Sequence, residues 1–271
     1  MPRRARLDAE LVRRGLARSR QQASELIAEG RVLVRGTAAT KAATAVESDA
    51  PVHVREGALG PDPDWASRGA LKLLGALAEF EPAGLTVAGR RCLDAGASTG
   101  GFTDVLLRRE ASEVIAADVG YGQLVWRLRN DDRVRVLDRT NVRALTPDAI
   151  GGPVGLTVAD LSFISLRTVL PALTACTDPE GDLVPMVKPQ FEVGRRRLGA
   201  GGVVREPELR VAALTEVAAT AAELGWHPRG AVASPAPGPA GNVEYFVWLR
   251  RDGSTDDPTD LFARAVERGP R

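Results

Sequence analysis

The sequence predicts an α/β protein in two parts. A small basic unit comes first, and a larger unit with a mainly parallel, seven-stranded, doubly wound sheet follows. Three observations predict this. From Ser67 onward, strand-like apolar runs alternate with helix-period segments, the pattern of a parallel sheet covered on both faces. A glycine-rich turn, Leu93–Phe102, ends the first of these strands and opens a helix. A stretch rich in Gly, Pro and Asp, Gly57–Trp65, separates this region from a differently charged N-terminal segment. The boundaries expected are residues 1–60 for the first unit, 61–66 for the linker, 67–250 for the second unit and 251–271 for a polar tail.

The chain has 271 residues, 44% of them hydrophobic and 26% charged. That supports sizeable cores and excludes wholesale disorder. No apolar run approaches the ~18 residues needed to cross a bilayer. The basic start MPRRARLDAE has no apolar stretch behind it, so no secretory signal is expected. Two cysteines cannot make a disulfide framework, no Cys/His cluster has metal spacing, and His53 and His227 as the only histidines weigh against a zinc site and a Ser-His-Asp machine. A cytoplasmic protein that works without histidine or metal is expected.

The net charge of +1 hides an asymmetry. Residues 1–41 carry nine arginines and Lys41 against four acids, a net of +6. A basic arm on a mildly acidic body suggests an anionic partner, nucleic acid foremost, although arginines that only solvate a surface would read alike. Of the 36 basic residues only Lys41, Lys72 and Lys188 are lysine. A composition so biased to arginine fills generic cationic positions with arginine. A retained lysine is then a candidate for work that needs a removable proton.

In the first unit, Leu7, Leu11 and Val12 recur at helical spacing until Gly15. A second helix runs from about Ser19 to Ala28 and stops at Gly30, and Val32–Val34 and Val52–Val54 read as strands. Arg18 and Arg20 start the second helix, with Arg4 and Arg6 near in sequence, a cluster suited to phosphate oxygens. The pattern Ser19-Arg20, Ala23, Ile27, Gly30-Arg31-Val32 and Val34-Arg35-Gly36 resembles the S4 RNA-binding domain. The resemblance implies that Arg4, Arg6, Arg18, Arg20 and Lys41 contact RNA. A basic helical cap on the second unit is the competing reading.

In the second unit, strands are expected at Arg91–Asp94, Glu113–Asp118, Val134–Leu137, Val154–Ala159, Leu183–Val187, Ala231–Ala233 and Glu244–Leu249. Helices are expected at Ala70–Phe80, Phe102–Arg109, Leu166–Thr174 and Pro207–Leu224, the last opened by Pro207 and closed by Gly225. The tail is read as loosely held, with one short helix near Leu261–Glu267. The turn Asp94-Ala95-Gly96-Ala97-Ser98-Thr99-Gly100-Gly101-Phe102 permits close backbone approach to a ligand. Asp118 follows Gly96 by 22 positions and can take both hydroxyls of a ribose. Nicotinamide and S-adenosylmethionine sites read alike to this point. The form D-x-G-x-x-x-G-G-F resembles the first motif of S-adenosylmethionine-dependent methyltransferases, which implies cofactor contacts from Asp94, Gly96 to Phe102, and Asp118. Asp138, closing the third strand, is either an adenine contact or a turn residue.

The fourth strand ends in Asp160-Leu161-Ser162-Phe163, where a methyltransferase of this class places catalytic groups. The prolines of base-amine methylating enzymes are missing. Cys92 and Cys176 read as small buried apolar residues rather than nucleophiles. The target atom is therefore expected to be an oxygen. A hydroxyl attacking a sulfonium methyl must be placed in line and lose its proton. Lys188 ends the fifth strand beside Asp160. The order Lys72, Asp160, Lys188, Glu244 resembles the K-D-K-E tetrad of FtsJ-type ribose 2′-O-methyltransferases, with Lys188 as general base. Phe163 is a candidate for stacking on RNA, or else a core residue.

Over about residues 3–250 the chain resembles the TlyA family. The resemblance rests on the S4-like head, WASRGALKL, LDAGASTGGF, DVGYGQL, RTNVR, DLSFISL, VKPQFE and GNVEYF. It implies 2′-O-methylation of cytidine in the RNA of one or both ribosomal subunits, S-adenosylmethionine as cofactor, ribosomal RNA or subunits as partner, and sensitivity to tuberactinomycin antibiotics. The linker departs from the family in having Pro63-Asp64, without a basic residue, before Trp65-Ala66. An RNA-binding protein with an inactive methyltransferase domain and a pore-forming cytolysin are two further readings. The intact tetrad weighs against the first, and the lack of a spanning segment weighs against the second.

Overall fold

The computed structural model describes residues 4–17, 19–28, 30–47, 50–54, 65–194, 197–238 and 241–270. The chain divides into two compact units, Met1–Pro63 and Asp64–Arg271. The expected linker, residues 61–66, lies outside the described residues except for Trp65 and Ala66.

The first unit contains β1 (Arg4–Arg6), α1 (Leu7–Arg13), α2 (Arg20–Ala28), β2 (Val32–Val34), β3 (Thr37–Ala38), β4 (Ala45–Glu47) and β5 (Val52–Val54). Strands β3, β2 and β5 form an antiparallel sheet in that order, and β1 pairs antiparallel with β4. Leu7 and Leu11 of α1 meet Ala23, Leu26 and Ile27 of α2 over Val32 and Val46 in one small core. Gly15, with φ +71°, follows the end of α1, as the broken periodicity indicates. The sequence did not reveal β1, β3 and β4. Unlike β2 and β5, which each carry two valines, these three hold at most one β-branched residue apiece and so give no strand signal.

The second unit runs α3 (Gly69–Phe80), β6 (Arg91–Ala95), α4 (Gly101–Arg108), β7 (Glu113–Ala117), α5 (Trp126–Arg129), β8 (Val134–Leu137), α6 (Pro147–Ile150), β9 (Val154–Ala159), α7 (Leu166–Cys176), β10 (Thr177–Val187), α8 (Pro189–Glu192), α9 (Pro207–Glu223), β11 (His227–Ala233), β12 (Tyr245–Arg250) and α10 (Thr259–Arg268). Its sheet has seven strands in the order β11-β12-β10-β9-β6-β7-β8. The five strands from β10 to β8 are parallel, and β12 runs antiparallel to both its neighbours. Successive residues of β6 feed opposite layers: Cys92 joins the core under α3 and α4, and Leu93 the core under α7 and α9. Burial on both faces makes these strands nearly continuous apolar runs.

Two segments differ from expectation. Strand β10 begins at Thr177, six residues earlier than the apolar run suggests, with a register shift between Thr177 and Asp182. Its exposed Asp178-Pro179-Glu180 reads as a turn, and the bulge absorbs it. The stretch after Arg250 holds the short helix expected near Leu261–Glu267, but it is not loosely held. Helix α10 spans ten residues and puts Phe262, Ala265 and Val266 into the same core as Leu93 and Trp226. Its apolar face has period 3.6, but polar residues on both sides mask it.

Candidate active site

Strand order reverses between β6 and β9, so the connections from these two strands leave in opposite directions. Ligands of open α/β sheets bind at such a point, beyond the carboxyl ends of the strands. The glycine turn lies there. Gly96 has φ +89°, and a Cβ on it would stand 2.5 Å from the backbone oxygen of Asp160. Only glycine lets the turn lie against the end of β9. Ser98 adopts φ +47° without being glycine. Its N–H donates to Asp118 Oδ2 at 2.8 Å, and the Gly120 N–H donates to Oδ1 at 2.7 Å. Two amides thus fix the carboxylate of Asp118 beside the turn.

The other residues expected at the cofactor divide. Ala97, Thr99, Gly100 and Gly101 carry the turn into α4, and side chains at Gly100 and Gly101 would strike Leu124, Leu128 and Ser67. Phe102 is turned into the core, its ring 5.8 Å from that of Phe246, and so anchors α4. Asp94 is fully buried, and its Oδ2 accepts from Thr103 Oγ1 at 2.7 Å. Its Oδ1 has no hydrogen-bond partner among the described residues. Burial pushes the Asp94 carboxyl up to about 7, against the opposing hydrogen bonds from Thr103. Asp138 follows β8 and accepts from Arg129 at 2.5 Å.

The four residues of the expected tetrad come together. Lys72 lies on the buried stripe of α3, so its ammonium needs partners. Its Nζ donates to Glu244 Oε2 at 2.6 Å and to Asp160 Oδ2 at 3.5 Å. Lys188 Nζ pairs with Asp160 Oδ1 at 2.6 Å and lies 3.9 Å from Glu244 Oε1. The two lysines and two carboxylates therefore alternate around a ring at the carboxyl edge of the sheet. Gly238 leaves room for Glu244, since a Cβ there would stand 2.5 Å from Oε1. Burial opposes the charge on Lys72, but Asp160 and Glu244 outweigh it and hold its pKa above the ordinary lysine value. Burial likewise opposes the charge on Asp160, and Lys72 and Lys188 reverse that and hold its pKa low. Burial pushes the thiols of Cys92 and Cys176 up to about 12 and about 11, which removes them as nucleophiles.

Phe163 is not a core residue: it is 92% exposed, has φ +63° and lies 5.5 Å ring to ring from Phe191. The sequence did not point to two residues at this edge. Ser162 Oγ accepts from Lys188 Nζ at 3.0 Å. Tyr121, also exposed, carries the Arg139 guanidinium 4.4 Å above its ring. Their signal was position alone: both follow a strand-ending aspartate within three residues. In the first unit, Arg6 and Arg20 converge on Asp8, at 3.0 and 2.9 Å. The Arg6 hydrogen bond, aided by Arg20 and opposed by burial, holds the Asp8 carboxyl down at about 2. Lys41 is exposed. Arg18 and the side chain of Arg4 lie outside the described residues. Among the described residues no helix is long and apolar enough to cross a membrane.

The pattern of the FtsJ-like methyltransferase family matches residues 65–251, and that of the S4 domain matches residues 5–52. The chain is 60% identical over 274 aligned residues to the 16S/23S rRNA (cytidine-2′-O)-methyltransferase TlyA of Mycobacterium tuberculosis, covering 100% of both chains. It is 34% identical to Hemolysin A of Brachyspira hyodysenteriae, covering 89% of this chain and 98% of that one. A solved structure of a hemolysin-named protein from Streptococcus thermophilus matches with TM-score 0.74 and 37% identity, covering 99% of this chain and 96% of that one. This chain, an S4 domain followed by an FtsJ-like methyltransferase domain, belongs to the TlyA family.

Proposed function

We propose that this protein methylates the ribose 2′-hydroxyl of a cytidine in ribosomal RNA, with S-adenosylmethionine as donor and Lys188 as the base. The observation that carries the reading is the alternating ring of Lys72, Glu244, Lys188 and Asp160 beside a glycine turn that a Cβ would fill. The residues fit the donor. Asp118, fixed by two amides, has lone pairs left for a ribose diol. The unpartnered buried Oδ1 of Asp94 suits an ammonium or N–H donor. When bound, S-adenosylmethionine supplies a methyl group on a positively charged sulfur.

What remains for the chain is placement and proton removal. Lys72 is the cation that stays charged, held by two carboxylates. Lys188 is the lysine beside the strand-four turn, and in its amine form it takes the 2′-hydroxyl proton. Asp160, whose Oδ1 lies 2.6 Å from Lys188 Nζ, compensates the ammonium produced. Phe163, exposed next to this ring, offers an aromatic face on which a base withdrawn from its helix stacks. Arg6, Arg20 and Lys41 of the first unit supply phosphate contacts, so affinity and chemistry reside in different domains. A cytoplasmic, ribosome-directed role and an effect on tuberactinomycin susceptibility follow from the same reading.

The test is transfer of label from tritiated donor to ribosomal subunits that lack the modification, with 2′-O-methyl positions mapped on both RNAs. A new 2′-O-methylcytidine supports the reading. Label on protein, on a base atom or nowhere contradicts it.

A further inference from the structure

We propose that Ser162 is a positioning residue that fixes the direction of the Lys188 lone pair. The proposal rests on the reading of Lys188 as the base. Among the described residues two groups lie within 3.0 Å of the Lys188 head: Asp160 Oδ1, in an ion pair at 2.6 Å, and Ser162 Oγ, which accepts a hydrogen bond at 3.0 Å. Glu244 Oε1 is farther, at 3.9 Å, and Lys72 faces the same carboxylates from the other side. Ser162 lies on the exposed turn after β9, two residues past Asp160. The next residue, Phe163, is a non-glycine with φ +63°, a conformation that persists only where the surroundings hold it.

A primary amine acting as base has two N–H bonds and one lone pair in staggered positions. Rotation about the Cε–Nζ bond exchanges them. With Asp160 alone, the ion pair draws one N–H toward Oδ1 by charge, and the lone pair and the second N–H compete for the other two positions. With Ser162 as second acceptor, both N–H bonds have places and the lone pair has one. That remaining direction is the one open to a substrate hydroxyl. The serine therefore acts through the lysine, needs no contact with the RNA, and sets the fraction of amines aimed at the proton.

Ser162→Ala and Ser162→Thr separate this role from a structural one, measured with unmodified ribosomal subunits and tritiated donor. Ser162→Ala is expected to lower kcat about tenfold, with KM for subunits and donor near the parent values and an unchanged unfolding midpoint. Ser162→Thr keeps the oxygen and is expected to restore most of the rate. In a Lys188→Arg background, Ser162→Ala is expected to add no further loss in single-turnover measurements. A higher KM for subunits with unchanged kcat would overturn the proposal, because the serine would then only shape the Phe163 turn. A rise in kcat would also overturn it, showing that the hydroxyl donates to the amine and blocks it. Lys188→Arg at near-parent rates would remove the base reading itself. An inactive Lys188→Arg beside a fully active Ser162→Ala would remove only the proposal.

Discussion

Lys72 and Glu244, 172 positions apart, form a buried ion pair 2.6 Å long that ties α3 to the start of β12. Glu244 has no exposed surface, so removing it leaves the Lys72 ammonium with the more distant Asp160 as its remaining carboxylate. Breaking one side of such a pair costs about 3–5 kcal/mol. Glu244→Ala is therefore expected to lose stability as well as activity in a urea titration. A variant with parent stability would show that the pair is not desolvated.

Asp94 gives a pH signature. Its carboxyl is held up to about 7 when folded, whereas an unfolded aspartate ionises near ~4. Between these values the folded state binds more protons, so this group makes stability fall as pH rises through the window. Asp94→Asn removes that loss. In the ligand-free protein, the variant's stability relative to the parent is expected to improve from about pH 4 to about pH 7 and then level off. A difference that does not change with pH would mean that Asp94 ionises normally.

The exposed ring of Phe163 separates binding from folding. Phe163→Ala is expected to leave the unfolding free energy within about 0.5 kcal/mol, since the side chain supports no core. Turnover on subunits is expected to fall about tenfold or more, because base stacking on an aromatic contributes about 1–3 kcal/mol. A large drop in the melting midpoint, with matching loss of donor binding, would contradict this.

The first unit is expected to supply affinity rather than chemistry. Removing residues 1–60 takes out the whole +6 arm, including the Arg6 and Arg20 pair on Asp8. Subunit binding should weaken and lose part of its salt dependence, while donor binding to the remaining unit stays near the parent value. Unchanged subunit affinity in the truncated protein would assign recognition to the second unit.

Much of this site was legible in the sequence because sheet-edge chemistry obeys a positional rule. Asp160 and Lys188 each follow an apolar run, so each had to fall at a carboxyl end, and the glycine turn marked the end of the first strand. The side-chain directions were not legible. Nothing in the spacing of Asp8, Arg6 and Arg20 says that one carboxylate holds both guanidiniums. Nothing in DLSF says that its serine meets Lys188 at the end of β10, because that contact is made between residues 26 positions apart. Polarity masked two features. The Asp-Pro-Glu of β10 reads as a turn, and the helix expected near Leu261–Glu267 gave no sign that Phe262 joins the core.

Whether Lys188 takes the proton is tested most directly by Lys188→Arg, because arginine keeps the charge and nearly the reach but does not release a proton at working pH. The measurement is the single-turnover rate of methyl transfer to unmodified subunits, with donor and subunit affinities determined in parallel. If Lys188 is the base, affinities stay near the parent values and the rate falls on the order of 10²–10⁴-fold, close to that of Lys188→Ala. An arginine variant that methylates at near-parent rate would contradict it and leave placement as the main source of catalysis.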